Sequence, residues 1–353
     1  MKKTILILTA LLLVFSAQAQ KKSYVVGFYN LENLFDIYDD PAKNDEEFLP
    51  DGKNKWTQER YDIKVHNMAK VIRAMRDDNK CWHTILGISE IENRLVIEDL
   101  VSDPQIAEAN YQIVHYDGPD RRGVDVALLY KPELFQYIDS ESIPFNFEGT
   151  KVNITLDQAA QDYFRTRDIL MVHGKIDGED VAVYVTHTPS RRGGKGADLR
   201  SRCMEIIYNH SRALEQKYPG IKIMVMGDMN DDPTDESQKV WMHTKATIEE
   251  MTPEDFFCPF EVMLADGYGS LAYQGKWNIF DLVHVNYNLA KAPQGGLKIR
   301  PIVKGKYYGR IFHKPFMVQQ SGQYKGTPFR TFSSGAFIAG YSDHYPTYIV
   351  ISK

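Results

Sequence analysis

Side chains able to do chemistry fall in six short polar clusters along this 353-residue chain, each beside an apolar run. Asn30, Glu32 and Asn33 follow the run at 24–29, and Glu90, Glu92 and Asn93 follow the one at 84–89. His187 and Thr188 close the run at 181–186; Asp228, Asn230, Asp231 and Asp232 close that at 221–226. Asn278 and Asp281 precede 282–285, and Asp343 with His344 precedes the final run at 345–351. Carboxylates, amides and two histidines can hold a hard divalent cation through oxygen and place acid–base groups beside it. Singly, each cluster has a plainer reading, because Asn and Asp make turn hydrogen bonds and most histidines after strands are structural. Their joint occurrence and order carry the signal.

A set of strands must bring these groups together. Val, Ile, Leu and Tyr dominate 24–29, 84–89, 124–130, 169–176, 181–186, 221–226 and 345–351, which predicts short strands. Tyr61, Val65, Met68, Ile72 and Met75 recur at helical spacing, giving a helix capped by Thr57 and ending near Arg76. Leu199, Cys203, Ile206, Ile207 and Leu214 predict a second helix, stopped by Pro219-Gly220. The polar segment 39–55 reads as a long loop. Many strands with few helices predict an α/β or α+β sandwich whose sheets carry the core. No repeat or linker divides residues 20–353, so one domain is expected there.

Composition narrows the function further. With 43% hydrophobic and 25% charged residues, the chain has the makings of a real core and is not disordered. Its 47 acidic residues exceed the 42 basic ones, so any nucleic-acid contact must come from a local basic groove and not from overall charge. Residues 1–19 combine a basic start, an apolar run from Ile5 to Phe15 and Ala17-Gln18-Ala19, the pattern of a signal peptide. That run is too short to span a bilayer, which takes about 20 residues. The expected product is exported, to the periplasm or beyond, with no transmembrane span and no obligate protein partner. Cys81, Cys203 and Cys258 form no metal-binding or redox motif, and Cys203 reads as core.

The blocks YNLENLFD (29–36), GISEIEN (87–93), DVALLYKP (125–132), THTPSRRGG (186–194), GDMNDDP (227–233), WNIFD (277–281) and YSDHYP (341–346) occur in an informative order. Together they resemble the endonuclease/exonuclease/phosphatase superfamily, the DNase-I-like metal-dependent phosphoesterases, and most closely a secreted bacterial branch. The resemblance implies a four-layer α-β-β-α sandwich. It implies Glu90 as principal metal carboxylate, with Asn30 and Asp343 on the metal side and Mg²⁺ as the cation, Mn²⁺ or Ca²⁺ being alternatives. It assigns Asp228 to the attacking water, Asn230 to the phosphate, His187 and His344 to the flanks of the scissile phosphate, and Asp281 to a histidine tautomer. Arg167 is expected to face phosphate, and Asp125 to orient His187.

Arg191 and Arg192, on a glycine-rich loop just after His187, add bidentate donors for substrate. Basic and aromatic residues interleave at 298–330, as suits single-stranded nucleic acid, although a solvated hairpin is the commoner cause. The expected activity is metal-assisted phosphodiester hydrolysis, with a nuclease favoured over a phospholipid or sugar-phosphate hydrolase. A non-catalytic binding module is the rival from another class; a calcineurin-like phosphatase lacks support because its Gly-Asn-His block is missing.

Overall fold

Apolar side chains fill both faces of the central strands: residues 170–172, 181–185 and 223–226 are all buried. Sheets of that kind need cover on both sides. The computed structural model, which describes residues 22–353 apart from Gln274 and Lys304, supplies it with four layers. Residues 1–19, expected from the sequence to be a signal peptide, lie outside the described residues.

The first sheet runs Lys298–Arg300, Thr347–Ser352, Ser23–Leu34, Ile85–Ile91, Asp125–Tyr130, Gln112–His115, with Gly309–Ile311 also paired to Thr347–Ser352. The second runs Gln136–Ile143, Ile169–Ile176, Glu179–His187, Lys222–Asp228, Asp281–Asn286, Phe256–Phe257, Thr244–Lys245. A parallel pair lies inside each sheet: Ser23–Leu34 with Ile85–Ile91, and Glu179–His187 with Lys222–Asp228. The sheets pack closely enough that a Cβ on Gly87 would lie 2.6 Å from the Met226 sulfur of the opposite sheet.

The helices Gln58–Asn79 and Arg94–Ser102 pack together on the outside of the first sheet. Ala197–Lys217 covers the second, where Tyr184 Oη lies 2.7 Å from His210 Nδ1. Both helices bury the predicted stripes. The first runs beyond Arg76 to Asn79 and ends on Lys80 in the left-handed region at φ 60°. Thr57 does sit at its N-cap, but its side chain makes no capping bond; the Thr57 carbonyl accepts from Tyr61 N at 3.0 Å instead.

Two segments are more ordered than their composition suggests. Within 39–55, Phe48 stacks on Phe35 at 4.2 Å, and Trp56 Nε1 donates to the Phe35 carbonyl at 2.9 Å. The basic and aromatic stretch at 298–330 is not a solvated hairpin. It supplies two strands to the first sheet, buries Phe312, and pairs four of its cations, Lys306, Arg310, Lys314 and Arg330, with carboxylates. Arg310 and Lys314 both reach Asp78 at 2.6 Å, and Lys306 reaches Asp266 at 2.9 Å. All three cysteines are free thiols. No helix among the described residues is long and apolar enough to cross a membrane.

Candidate functional site

Six strands deliver polar groups to one rim. Asn30 and Glu90 lie near the carboxyl ends of the parallel pair in the first sheet, and His187 and Asp228 end the parallel pair in the second. Asp281 opens the next antiparallel strand, and His344 leads into Thr347–Ser352. Register fixes three of them side by side: Asp228 is the partner of His187 on one flank and of Asp281 on the other. Gly227 makes this approach possible, since a Cβ there would fall 2.0 Å from the Thr186 carbonyl oxygen.

The backbone is irregular where the site forms. Glu32, Asn33, Glu90 and Asn230 all have φ between 47° and 57°, a region costly for residues with a Cβ. The ladder also shifts between Asn30 and Leu34 and between Ser89 and Ile91. In a regular strand Glu90 and Glu92 would share a face. The bulge separates them: Glu90 turns into the rim, where Asn33 N donates to its Oε2 at 2.9 Å, while Glu92 accepts from Asp36 N at 2.7 Å.

At the centre, Glu90, His187 and Asp228 each place a ligand-type atom within 4.8 Å of the others. His187 Nε2 is 3.8 Å from Glu90 Oε1 and 3.6 Å from Asp228 Oδ2. Asn30 Nδ2 bridges the two carboxylates, at 3.3 Å from Glu90 and 3.1 Å from Asp228. His344 Nε2 approaches the same Asp228 oxygen, at 3.8 Å from Oδ2. Asp281 Oδ2 accepts from His344 Nδ1 at 2.8 Å and from Ser270 Oγ at 2.6 Å.

Burial and neighbouring charge set the protonation states apart. Burial pushes Asp228 up to about 7, with Asp281 and Glu90 adding to the rise against the pull of His344. Burial alone would lower His344, but Asp281 and Asp228 together raise it well above the ordinary histidine range. His187 is held well below that range by burial, then by Arg167, Arg122 and His344. One imidazole is therefore cationic near neutrality and the other neutral.

This donor set fits a hard divalent cation. Two carboxylate groups and one imidazole nitrogen lie within 4.8 Å of one another, in a cleft where Asp228 and His187 are buried and Glu90 is partly so.

Several expected residues sit differently. Asn30 faces the carboxylates with its nitrogen, because Glu32 N occupies its oxygen at 2.8 Å, so it presents a donor and not a metal-binding oxygen. Asp343 is drawn to Arg330 at 2.6 Å and stands 3.9 Å from His344. Arg167 does not face phosphate. Its buried guanidinium spans the carbonyls of His187 at 2.9 Å and Thr188 at 2.7 Å, and pairs with Asp120 at 2.9 Å. Arg191 is committed to Asp231, Asp235 and the Asn230 carbonyl, whereas Arg192 is exposed. Asn230 gives one amide hydrogen to the Thr188 carbonyl at 3.1 Å. Asp125 lies 3.4 Å from His115 and so does not orient His187.

Four supporting residues escape local sequence patterns. Lys64 is fully buried in the first helix, 4.0 Å from Glu32 and 2.6 Å from Thr331 Oγ1. Arg330 joins Glu32 to Asp343. Ser270 supports Asp281, and Ser342 donates to the Asn30 carbonyl at 2.7 Å while accepting from His344 N. Only Ser342 carried a hint, through its place two residues before His344.

A sequence model described as the Endonuclease/Exonuclease/phosphatase family matches residues 25–353. No curated protein matches the chain by sequence. Among solved structures, a Bacteroides thetaiotaomicron protein described by the same family name is 14% identical, with a TM-score of 0.57 over 94% of this chain and 98% of that one. D. rerio TDP2 complexed with a single-strand DNA product is 10% identical, with a TM-score of 0.54 over 94% and 99%. A B. thetaiotaomicron mannosyl-6-phosphatase is 13% identical, with a TM-score of 0.53 over 93% and 99%. At these identities the likeness is one of fold.

Proposed function

The chain belongs to the endonuclease/exonuclease/phosphatase family, and from that premise we propose that it is a divalent-metal-dependent phosphodiesterase, with Mg²⁺ as its cation and nucleic acid as its substrate. One observation carries this reading: Glu90, His187 and Asp228 converge within 4.8 Å, and the His344 of the Asp281–His344 pair reaches the same Asp228 oxygen at 3.8 Å. Glu90, Asp228 and His187 Nε2 would hold the cation. When bound, it polarises a phosphoryl oxygen and offsets the charge that develops there.

The protein's own groups account for the rest. Asp228 would accept a proton from the attacking water through the carboxylate oxygen not given to the cation. His344, kept protonated and oriented by Asp281, presents Nε2–H to the phosphoryl oxygens as negative charge grows on them. Asn30 Nδ2 restrains the two carboxylates and keeps their geometry fixed. Arg167 acts at one remove, by pinning the backbone that carries His187.

The TDP2 structure with single-strand DNA product and the mannosyl-6-phosphatase share this fold, so fold alone does not select the substrate. Export is part of the proposal and rests on the sequence at 1–19. The deciding experiment is hydrolysis of bis(p-nitrophenyl) phosphate by purified protein. Turnover with Mg²⁺ that stops in EDTA supports the reading, and equal rates in chelator sink its metal part.

A further inference from the structure

A groove of about 960 Å³ opens beside the catalytic rim, and apart from Arg167 and its partner Asp120 its residues have no part in the chemistry described above. It begins at Pro189 and Ser190, immediately after His187-Thr188, and Arg167 forms part of its wall. Arg122, Arg165, Arg192 and Lys195 line it, and all four are exposed. Two carboxylates also line it, and both are already engaged. Asp120 accepts from Arg167 and from the Arg122 backbone, each at 2.9 Å, while Asp198 accepts from Thr155 N and Oγ1 at 2.7 Å. Arg122 keeps only a loose contact with Asp120, at 3.7 Å. Among the described residues, Arg192 and Lys195 have no carboxylate partner. The half-buried ring of Phe164 and the side chain of Leu156 supply an apolar surface between the charges.

We propose that this groove seats the phosphates flanking the scissile one in a single-stranded polynucleotide, with a base against Phe164. The inference rests on the phosphodiesterase reading of the neighbouring rim and adds the substrate's extended character. Arg192 and Lys195 without carboxylate partners, Arg122 only loosely paired with Asp120, and Arg165 held only by the carbonyls of Asp162 and Phe164 leave positive charge spread along the groove, which suits a chain of phosphates. A sugar monophosphate would occupy the catalytic rim alone and leave them unused. A phospholipid brings a single phosphate beside its acyl chains, which does not match charge spread along the groove. A ring between cations suits an unstacked base, which a duplex does not offer.

Binding of a fluorescein-labelled ten-nucleotide oligothymidylate, followed by anisotropy in EDTA, tests the groove without turnover. The wild-type protein should bind with a log Kd against log salt slope of about 3, and Arg122→Ala/Arg192→Ala/Lys195→Ala should lower it to about 0.7, at roughly 0.7 per phosphate on a single strand. Phe164→Ala, with every charge retained, should weaken binding about fivefold or more. Restoring charge as Arg122→Lys/Arg192→Lys/Lys195→Arg should recover most of the affinity, which an unfolded variant would not do. An unchanged slope in the alanine variant, no oligonucleotide binding by the wild type, tighter binding of a DNA duplex, or binding to phosphatidylglycerol vesicles in its place would each overturn the assignment. Bis(p-nitrophenyl) phosphate hydrolysis is measured separately, so the phosphodiesterase reading can stand while the groove falls, or the reverse.

Discussion

Asp281 holds His344 across 63 positions of sequence, its Oδ2 lying 2.8 Å from the imidazole Nδ1. The contact joins the two sheets, because Asp281 begins a strand of the second and His344 leads into a strand of the first. It leaves Nε2 as the nitrogen that faces Asp228, 3.8 Å away. Asp281→Asn keeps the shape but removes the charge that holds His344 protonated. Turnover of bis(p-nitrophenyl) phosphate should fall about 10²–10³-fold, the range for losing one donor to developing oxyanion charge. A fall below threefold in a folded variant would remove His344 from the reaction.

Asn30→Ala takes away the amide that restrains Glu90 and Asp228. The cation concentration needed for half-maximal activity should rise about 10–100-fold, as when a partner supporting metal ligands is lost. Titration with Mg²⁺, and calorimetry of Mn²⁺ binding, would show it. Unchanged cation dependence would mean that the carboxylates need no such restraint.

Arg167 and Asp120 form a pair in which both side chains are only 6% exposed. Arg167→Met leaves Asp120 buried without its main counter-charge and frees two carbonyls. Denaturant unfolding should show a loss of about 3–5 kcal/mol, the usual result of breaking a buried pair from one side. A loss under 1 kcal/mol would contradict the bracing role assigned to this arginine.

His83 is fully buried, neither ring nitrogen has a hydrogen-bond partner, and burial lowers it to about 3. Its folded value lies below its unfolded one, so the contribution is intact above about pH 6.5 and declines as pH falls towards 3. His83→Leu should therefore narrow the stability gap between pH 7 and pH 4.5 by roughly 2 kcal/mol. Thermal melts at both values give the comparison. An equal gap in variant and wild type would show that His83 does not drive acid sensitivity.

Apolar runs were sufficient to find most of the scaffold. Ile169–Ile176 has the bounds that its pattern predicts, and both helix stripes are buried as read. Strand ends were less legible at the site because polar residues continue the ladder there. His187, Asp228 and Asp281 are themselves strand residues, and Ser23–Leu34 runs on through Glu32 and Asn33 at positive φ. Motif order placed Glu90, Asp228, His187 and His344 together, but it could not reveal which cations were free. Arg167 and Arg191 look available in the sequence and are consumed by Asp120, Asp231 and Asp235 in the fold. Lys64 meets Glu32 and Arg330 meets Asp343 only because distant segments pack, a relation that no local spacing encodes.

Gly227 sits in the rung next to the one shared by His187, Asp228 and Asp281. Sliding either neighbour by a single place would turn its reactive group to the opposite face of the second sheet. Hydrolysis would stop although nearly all apolar area remained covered. Enzymatic rate is thus a vernier for strand alignment, able to expose misthreaded molecules that spectroscopy of the bulk would count as native.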